Sequence, residues 1–180
     1  IILSSNVAGT TFDWNVVQSN ITGASNGSGS PIAQVLTATS NNIGEAVYSV
    51  TPANVGCPGT PILVTIRVNP IPVATANVAV TTICSSSTTD ITLTSSIAGT
   101  TFSWSVIQTG IFGAIPGSGA AIAQMLTTVN SAQGTVFYTI TPTFNGCSGV
   151  PITVPITVNP TPEVFGSASA TICSGGTPNI

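Results

Sequence analysis

Apolar and polar side chains alternate along most of the chain. Phe12, Trp14 and Val16 fall on one face of an extended segment, with Asp13 and Asn15 on the other. Ala46, Tyr48 and Val50 alternate in the same way with Val47, Ser49 and Thr51, and Ile91 and Leu93 with Thr92 and Thr94. Ile62, Val64, Ile66 and Val68 share the inner face of a further segment. A period of two over such short runs predicts half-buried β-strands, and no stretch carries the 3.6-residue period of a helix. Turn chemistry separates the runs: Ala-Gly-Thr-Thr before Phe12 and Phe102, Gly-rich loops at 23–30 and 113–120, and Pro52 and Pro142 after the tyrosine-bearing strands. Pro155 falls on the outer face of the last strand, which places that strand at a sheet edge or at a bulge.

The pattern is written twice. Phe12-Asp13-Trp14 returns as Phe102-Ser103-Trp104, Tyr48 as Tyr138, Cys57 as Cys147 and Asn69-Pro70 as Asn159-Pro160, all at an offset of 90 residues. A tandem repeat of this period predicts two small all-β sandwiches of roughly seven strands each, the immunoglobulin-like pattern. Residues 1–70 form a first repeat without its first strand, 71–160 a complete second repeat, and 161–180 the first strand of a third. The strand that opens the second repeat is read over Val73 to Cys84, and nothing before Ile1 in this sequence answers to it. A partial copy at each end is expected of a window on a longer array. Asn-Pro-x-Pro closes each copy and predicts an extended, stiff linker.

Composition narrows the chemistry. Of 180 residues 42% are hydrophobic, which favours a folded chain over a disordered polar tract, while 3% are charged. Arg67 is the sole basic side chain and histidine is absent, so nucleic-acid binding, which needs several cations to neutralise phosphates, is not expected. No apolar run approaches the ~18 residues of a membrane helix, and no membrane insertion is expected. The four carboxylates are not shared between copies: Asp13 aligns with Ser103, Glu45 with Thr135 and Glu163 with Val73, and the place matching Asp90 precedes Ile1. Acid–base catalysis and metal cages both want for groups, so the expectation is no enzyme, no cofactor and no metal.

The ordered motifs Thr-Ile-Cys-Ser-Gly, Ile-x-Leu-Thr-Ser, Gly-Thr-Thr-Phe-x-Trp, Gly-Ser-Gly-x-x-Ile-x-Gln-x-Leu, Tyr-x-x-Thr-Pro, Gly-Cys-x-Gly-x-Pro and Val-Asn-Pro-x-Pro span the chain. Together they resemble the PKD-like repeats of very large Bacteroidetes surface proteins, above all gliding-motility adhesins of the SprB type. The resemblance implies immunoglobulin-like modules, export by the type IX secretion route and display on the bacterial cell surface. It implies no binding residue.

Phe12, Trp14, Tyr48, Phe102, Trp104 and Tyr138 are expected in the two cores, and Phe112, Phe137 and Phe144 are the candidate exposed aromatics. One cysteine before the second strand and one after the sixth offers a pair per repeat, here Cys84 with Cys147, leaving Cys57 and Cys173 to partners outside the sequence. Standard topology puts those loops a full strand apart, which leaves open a second arrangement in which Cys84 joins the next module. The functional expectation is a structural stalk or filament repeat of a secreted adhesin, its partners being neighbouring repeats of the same chain and lateral copies in a filament. The alternative is a carbohydrate-binding module contacting surface polysaccharide.

Overall fold

A computed structural model of the chain describes residues 1–166 and 171–177. In the first repeat β1 (Thr11–Ser19), β2 (Gly44–Asn54) and β3 (Ile62–Val68) are the principal strands. In the second, β4 (Thr75–Val78), β5 (Thr82–Cys84) and β6 (Ile91–Thr94) precede β7 (Thr101–Thr109), β8 (Gly134–Phe144) and β9 (Ile152–Asn159). All regular elements among the described residues are strands. They build two immunoglobulin-like β-sandwiches in tandem.

In the second repeat β7, β8 and β9 pair antiparallel in that order, and β5 adds in parallel along the outer edge of β9. The facing layer holds β6 between β4 and Ala121–Ile122, beside Met125–Thr128 with its neighbours Ser87–Thr88 and Ile111–Phe112. Alternation delivers Phe102, Trp104, Val136, Tyr138, Ile140, Val154, Ile156 and Val158 from the first layer against Ile91, Leu93, Ile111, Ile122 and Leu126 from the second. The strand expected over Val73 to Cys84 is therefore two strands. β4 pairs with β6, and the chain then crosses over and β5 pairs with β9, so one segment closes both layers of the sandwich.

Pro155 lies opposite Phe137 on the stretch of β9 that β5 leaves uncovered, since β5 reaches only Thr157 to Asn159. A proline has no N–H to offer a further strand and is at home on such an edge.

The first repeat has the same β1–β2–β3 sheet in the same register, but nothing plays the parts of β4 and β5. Ile1 and Leu3 pack partly buried against the core, and the amine and carbonyl of Ile1 are each bonded to Ile32 at 2.9 Å. Side chains fully enclosed in the second repeat are consequently half-open in the first: Ile91, Leu93, Phe102 and Val154 are buried, whereas Ile1, Leu3, Phe12 and Val64 are only partly so. Phe12 is half-buried and packs against the core that holds Trp14 and Tyr48.

The linker also differs from a plain spacer. Pro70 and Pro72 are buried, and Asn69 donates from its side-chain nitrogen to the carbonyl of Asn145 in the second repeat at 3.3 Å. Of the strand expected over 161–180, residues 161–166 and 171–177 form no strand, and 167–170 and 178–180 lie outside the described residues.

The Cys84–Cys147 pair does not exist in this fold. Cys84 stands beside Asn159, at the Gly134 end of β8, and Cys147 opposite Phe144 at the other end. Eleven residues of strand hold those ends about 33 Å apart, against the ~7 Å a disulfide tolerates between Cα atoms. None of Cys57, Cys84, Cys147 and Cys173 is bonded to another of the four.

Truncating the same aromatic in the two repeats should separate these environments. Phe102→Ala is expected to cost the second repeat about 3–5 kcal/mol, and Phe12→Ala the first repeat roughly half of that. Urea unfolding followed through the single tryptophan of each repeat, with the other replaced by phenylalanine, measures both.

Candidate functional site

The most organised polar cluster surrounds the tryptophans. In β7, Trp104 projects inward and its six-membered ring lies against Gly117, where an added Cβ would come within 2.7 Å of the ring. The indole N–H donates to the carbonyl of Ile115 at 3.1 Å. Gln124 binds the same loop twice, its amide nitrogen donating to Ile115 O at 2.9 Å and its Oε1 accepting from Ile115 N at 3.1 Å. The Tyr138 hydroxyl, coming from β8, donates to that Oε1 at 3.0 Å. Thr89 completes the cluster by accepting from Gln124 N and donating to Ile122 O, each at 2.9 Å.

The first repeat reproduces the arrangement. Trp14 lies on Gly27 and donates to Ser25 O at 3.1 Å, Gln34 brackets Ser25, and the Tyr48 hydroxyl donates to Gln34 Oε1 at 2.8 Å. Trp14, Trp104, Tyr48 and Tyr138 are buried, so neither indole is a platform for a sugar. The motif reading missed Gln34 and Gln124 as structural residues. Their signal was present, for both stand five residues beyond the last glycine of the Gly-Ser-Gly turn and recur at the repeat offset.

The candidate exposed aromatics do not converge. Phe137 (44% exposed) stands on the outer face of β8 between Ile107 and Pro155, while Phe112 (55% exposed) belongs to Ile111–Phe112 in the facing layer. Phe144 is only partly exposed, because its ring leans on the turn at Gly99, so it does not belong with them. At the repeat offset the three correspond to Thr22, Val47 and Asn54.

Charged groups are equally scattered. Glu45 and Arg67 form an exposed pair at 3.6 Å, worth little in solvent. Among the described residues no three acidic or thiol side chains gather as metal ligands, and no helix is long and apolar enough to cross a membrane. An apolar groove of about 420 Å³ opens on the first repeat between Ile1, Leu3, Phe12, Val50, Pro52 and Val64.

Burial raises the ionisation of Tyr138 above its usual range, with a contact to the Thr89 hydroxyl opposing the shift, and burial likewise raises Tyr48. A raised folded-state value stabilises the fold fully below the unfolded tyrosine's value of 10.0 and loses that contribution as pH rises through the folded one. Stability is therefore expected to fall above pH ~10, and less so in the Tyr138→Phe variant, as read from urea midpoints across the alkaline range.

The model of the PKD-like domain matches residues 2–72 and 81–162. No curated protein matches the chain. Two matches in succession, each holding one tryptophan cluster and together covering most of the chain, establish that the chain belongs to the PKD-like domain family and carries that domain as a tandem immunoglobulin-like repeat.

Proposed function

We propose that this pair of domains is a structural element of a large extracellular adhesin on a bacterial surface, of the gliding-motility kind, exported by the type IX route. It acts as a stalk or filament module that holds other parts of the molecule away from the cell, and it catalyses nothing. Its partners are neighbouring repeats of the same chain and copies lying alongside.

One observation carries the reading. What recurs at the 90-residue offset is the interior: the tryptophan resting on glycine, the glutamine bracket and the tyrosine hydroxyl. What does not recur is every exposed group able to grip a ligand. Phe112, Phe137, Asp13 and Glu45 are answered by Thr22, Val47, Ser103 and Thr135. A binding function multiplied by repetition would repeat its contact residues, whereas a spacer needs to repeat only its fold. A carbohydrate module would in addition need aromatic rings on one surface, and Phe112 and Phe137 stand on different layers.

Small-angle scattering of the dilute chain tests the spacer reading. The expected radius of gyration is clearly above the ~16 Å of a single compact globule of this length. A value near ~16 Å would mean that the domains fold back on each other and would remove it. Binding of the isolated chain to a glycan array, lost in Phe112→Thr or Phe137→Val, would replace it with the carbohydrate reading.

A further inference from the structure

The outer edge of β7 in the second repeat is only half used. Gly117–Ser118 pairs with Trp104 and Ser103, and Gly119 N donates to Phe102 O at 3.0 Å. These bonds fix the parity of the strand: Phe102, Trp104, Val106 and Gln108 turn their backbone groups to the edge, and the residues between them turn theirs to β8. Ahead of Gly117 the loop lies toward the facing layer, where Gln124 holds both backbone groups of Ile115. The backbone N–H and C=O groups of Val106 and Gln108 consequently have no hydrogen-bond partner among the described residues.

Ser105 to Thr109 carries none of the usual protections of an edge, neither charge nor proline nor a covering strand. Asp90, immediately before β6, is the one charged side chain between residues 71 and 160. The first repeat treats the same edge differently. Asn26 Oδ1 accepts from Val16 N at 2.9 Å and so occupies the group that matches Val106 N. Pro116 stands at the Asn26 place in the second repeat and has no side-chain acceptor. The outer face beside the open edge is apolar: Ile107 is 69% exposed, Phe137 lies next to it on β8, and Pro155 next to Phe137 on β9. The first repeat has Val17, Val47 and Thr65 at these places.

We propose that this edge of β7 pairs with the same edge of a second copy of the chain, antiparallel about a two-fold axis at Ile107. One register uses every free group. Val106 faces Gln108 of the partner copy, Gln108 faces its Val106, and each pair exchanges two main-chain hydrogen bonds. Centring the contact on Val106 would need the groups of Trp104, which Gly117 already holds. Centring it on Gln108 would need Gly110 O, which already accepts from Val129 N at 2.9 Å. Ile107 then meets its own counterpart as a non-hydrogen-bonded pair, with Cα atoms about 4.5 Å apart. Pro155, Phe137 and Ile107 of each copy join into one apolar row across the merged sheet. The contact is isologous and closes at two copies. A second copy is the fitting occupant because the hydrogen-bonding pattern of the edge is complementary to itself and no charge stands on the axis. The inference deepens the stalk reading, on which it rests for copies lying alongside, by naming the surface through which they meet.

The contact is small, so the test uses sedimentation of the reduced 180-residue chain from roughly micromolar to millimolar concentration. Reversible dimers and nothing larger are expected. Ile107→Asp, on a side chain that projects into solvent, should weaken dimerisation at least about tenfold, since two carboxylates would meet on the axis. Pro116→Asn, which copies the first repeat's own residue, should weaken it by capping Val106 N. With the four cysteines replaced by serine, Ile107→Cys should oxidise to a linked dimer, being well within the ~7 Å Cα limit of a disulfide, and Val17→Cys should stay unlinked. A chain monomeric throughout overturns the proposal. So do oligomers beyond the dimer, dimers indifferent to either Ile107→Asp or Pro116→Asn, and equal linking at the two introduced cysteines. A monomeric chain with an elongated scattering profile would remove the pairing and leave the stalk reading standing, whereas a compact profile would remove the stalk reading whatever sedimentation shows.

Discussion

Each sandwich depends on an indole laid flat on a glycine. Trp104 belongs to β7, and Gly117 and Ile115 belong to the loop that carries the chain from one layer to the other. With the ring seated and its N–H held by Ile115 O, the loop has one position. Gln124 then fixes the next segment by bonding both backbone groups of Ile115, and Tyr138 ties that glutamine back to β8. The bonds cross the sandwich and set where Ile122 and Leu126 enter the core. A chain with 3% charged residues cannot orient its layers by ion pairs, so the work falls to neutral hydrogen bonds. Among the described residues no buried side-chain nitrogen or oxygen lacks a partner.

A comparison of the two copies shows how much of a sandwich this cluster supports by itself. The tryptophan, glutamine and tyrosine contacts are the same in both, and so is the pairing of the tyrosine strand with its neighbours. What changes is the wall made by β4 and β5. In the second repeat that wall is built from the segment following Asn69-Pro70, so the proline-rich stretch is the opening of a domain more than a spacer between two. Burial of Pro72 and the contact from Asn69 to Asn145 make the junction part of the fold.

The alternation of Trp14, Tyr48 and their counterparts was sufficient to place them inside, because a strict period of two leaves only one face for each side chain. The 90-residue offset likewise implied two equivalent sandwiches. Other features depend on pairings distant in sequence. The change of layer after Val78 has no local signature, since Thr, Ala and Asn suit either sheet. Phe144 follows a proline-containing strand end and reads as outward, yet the turn at Gly99 comes up beneath it from 45 residues earlier. Gln34 and Gln124 look like ordinary polar positions because their partners are backbone groups, which sequence does not display. The proposed cysteine pair failed for the reason that its own topology supplied: the two residues stand beside opposite ends of β8.

Edge protection connects these points. A sheet edge left open invites any strand with free backbone groups, and proteins usually discourage this with charge, proline or a covering segment. In the second repeat the outer edge of β9 is covered by β5 at Thr157 to Asn159 and carries Pro155 on the uncovered part. The first repeat has Thr65 where the second has Pro155, and no strand lies along β3. Its only charge is Arg67, already engaged by Glu45 on the neighbouring strand. With so few charges in the chain, the protection of β9 comes from its proline and its covering strand and owes little to charge repulsion.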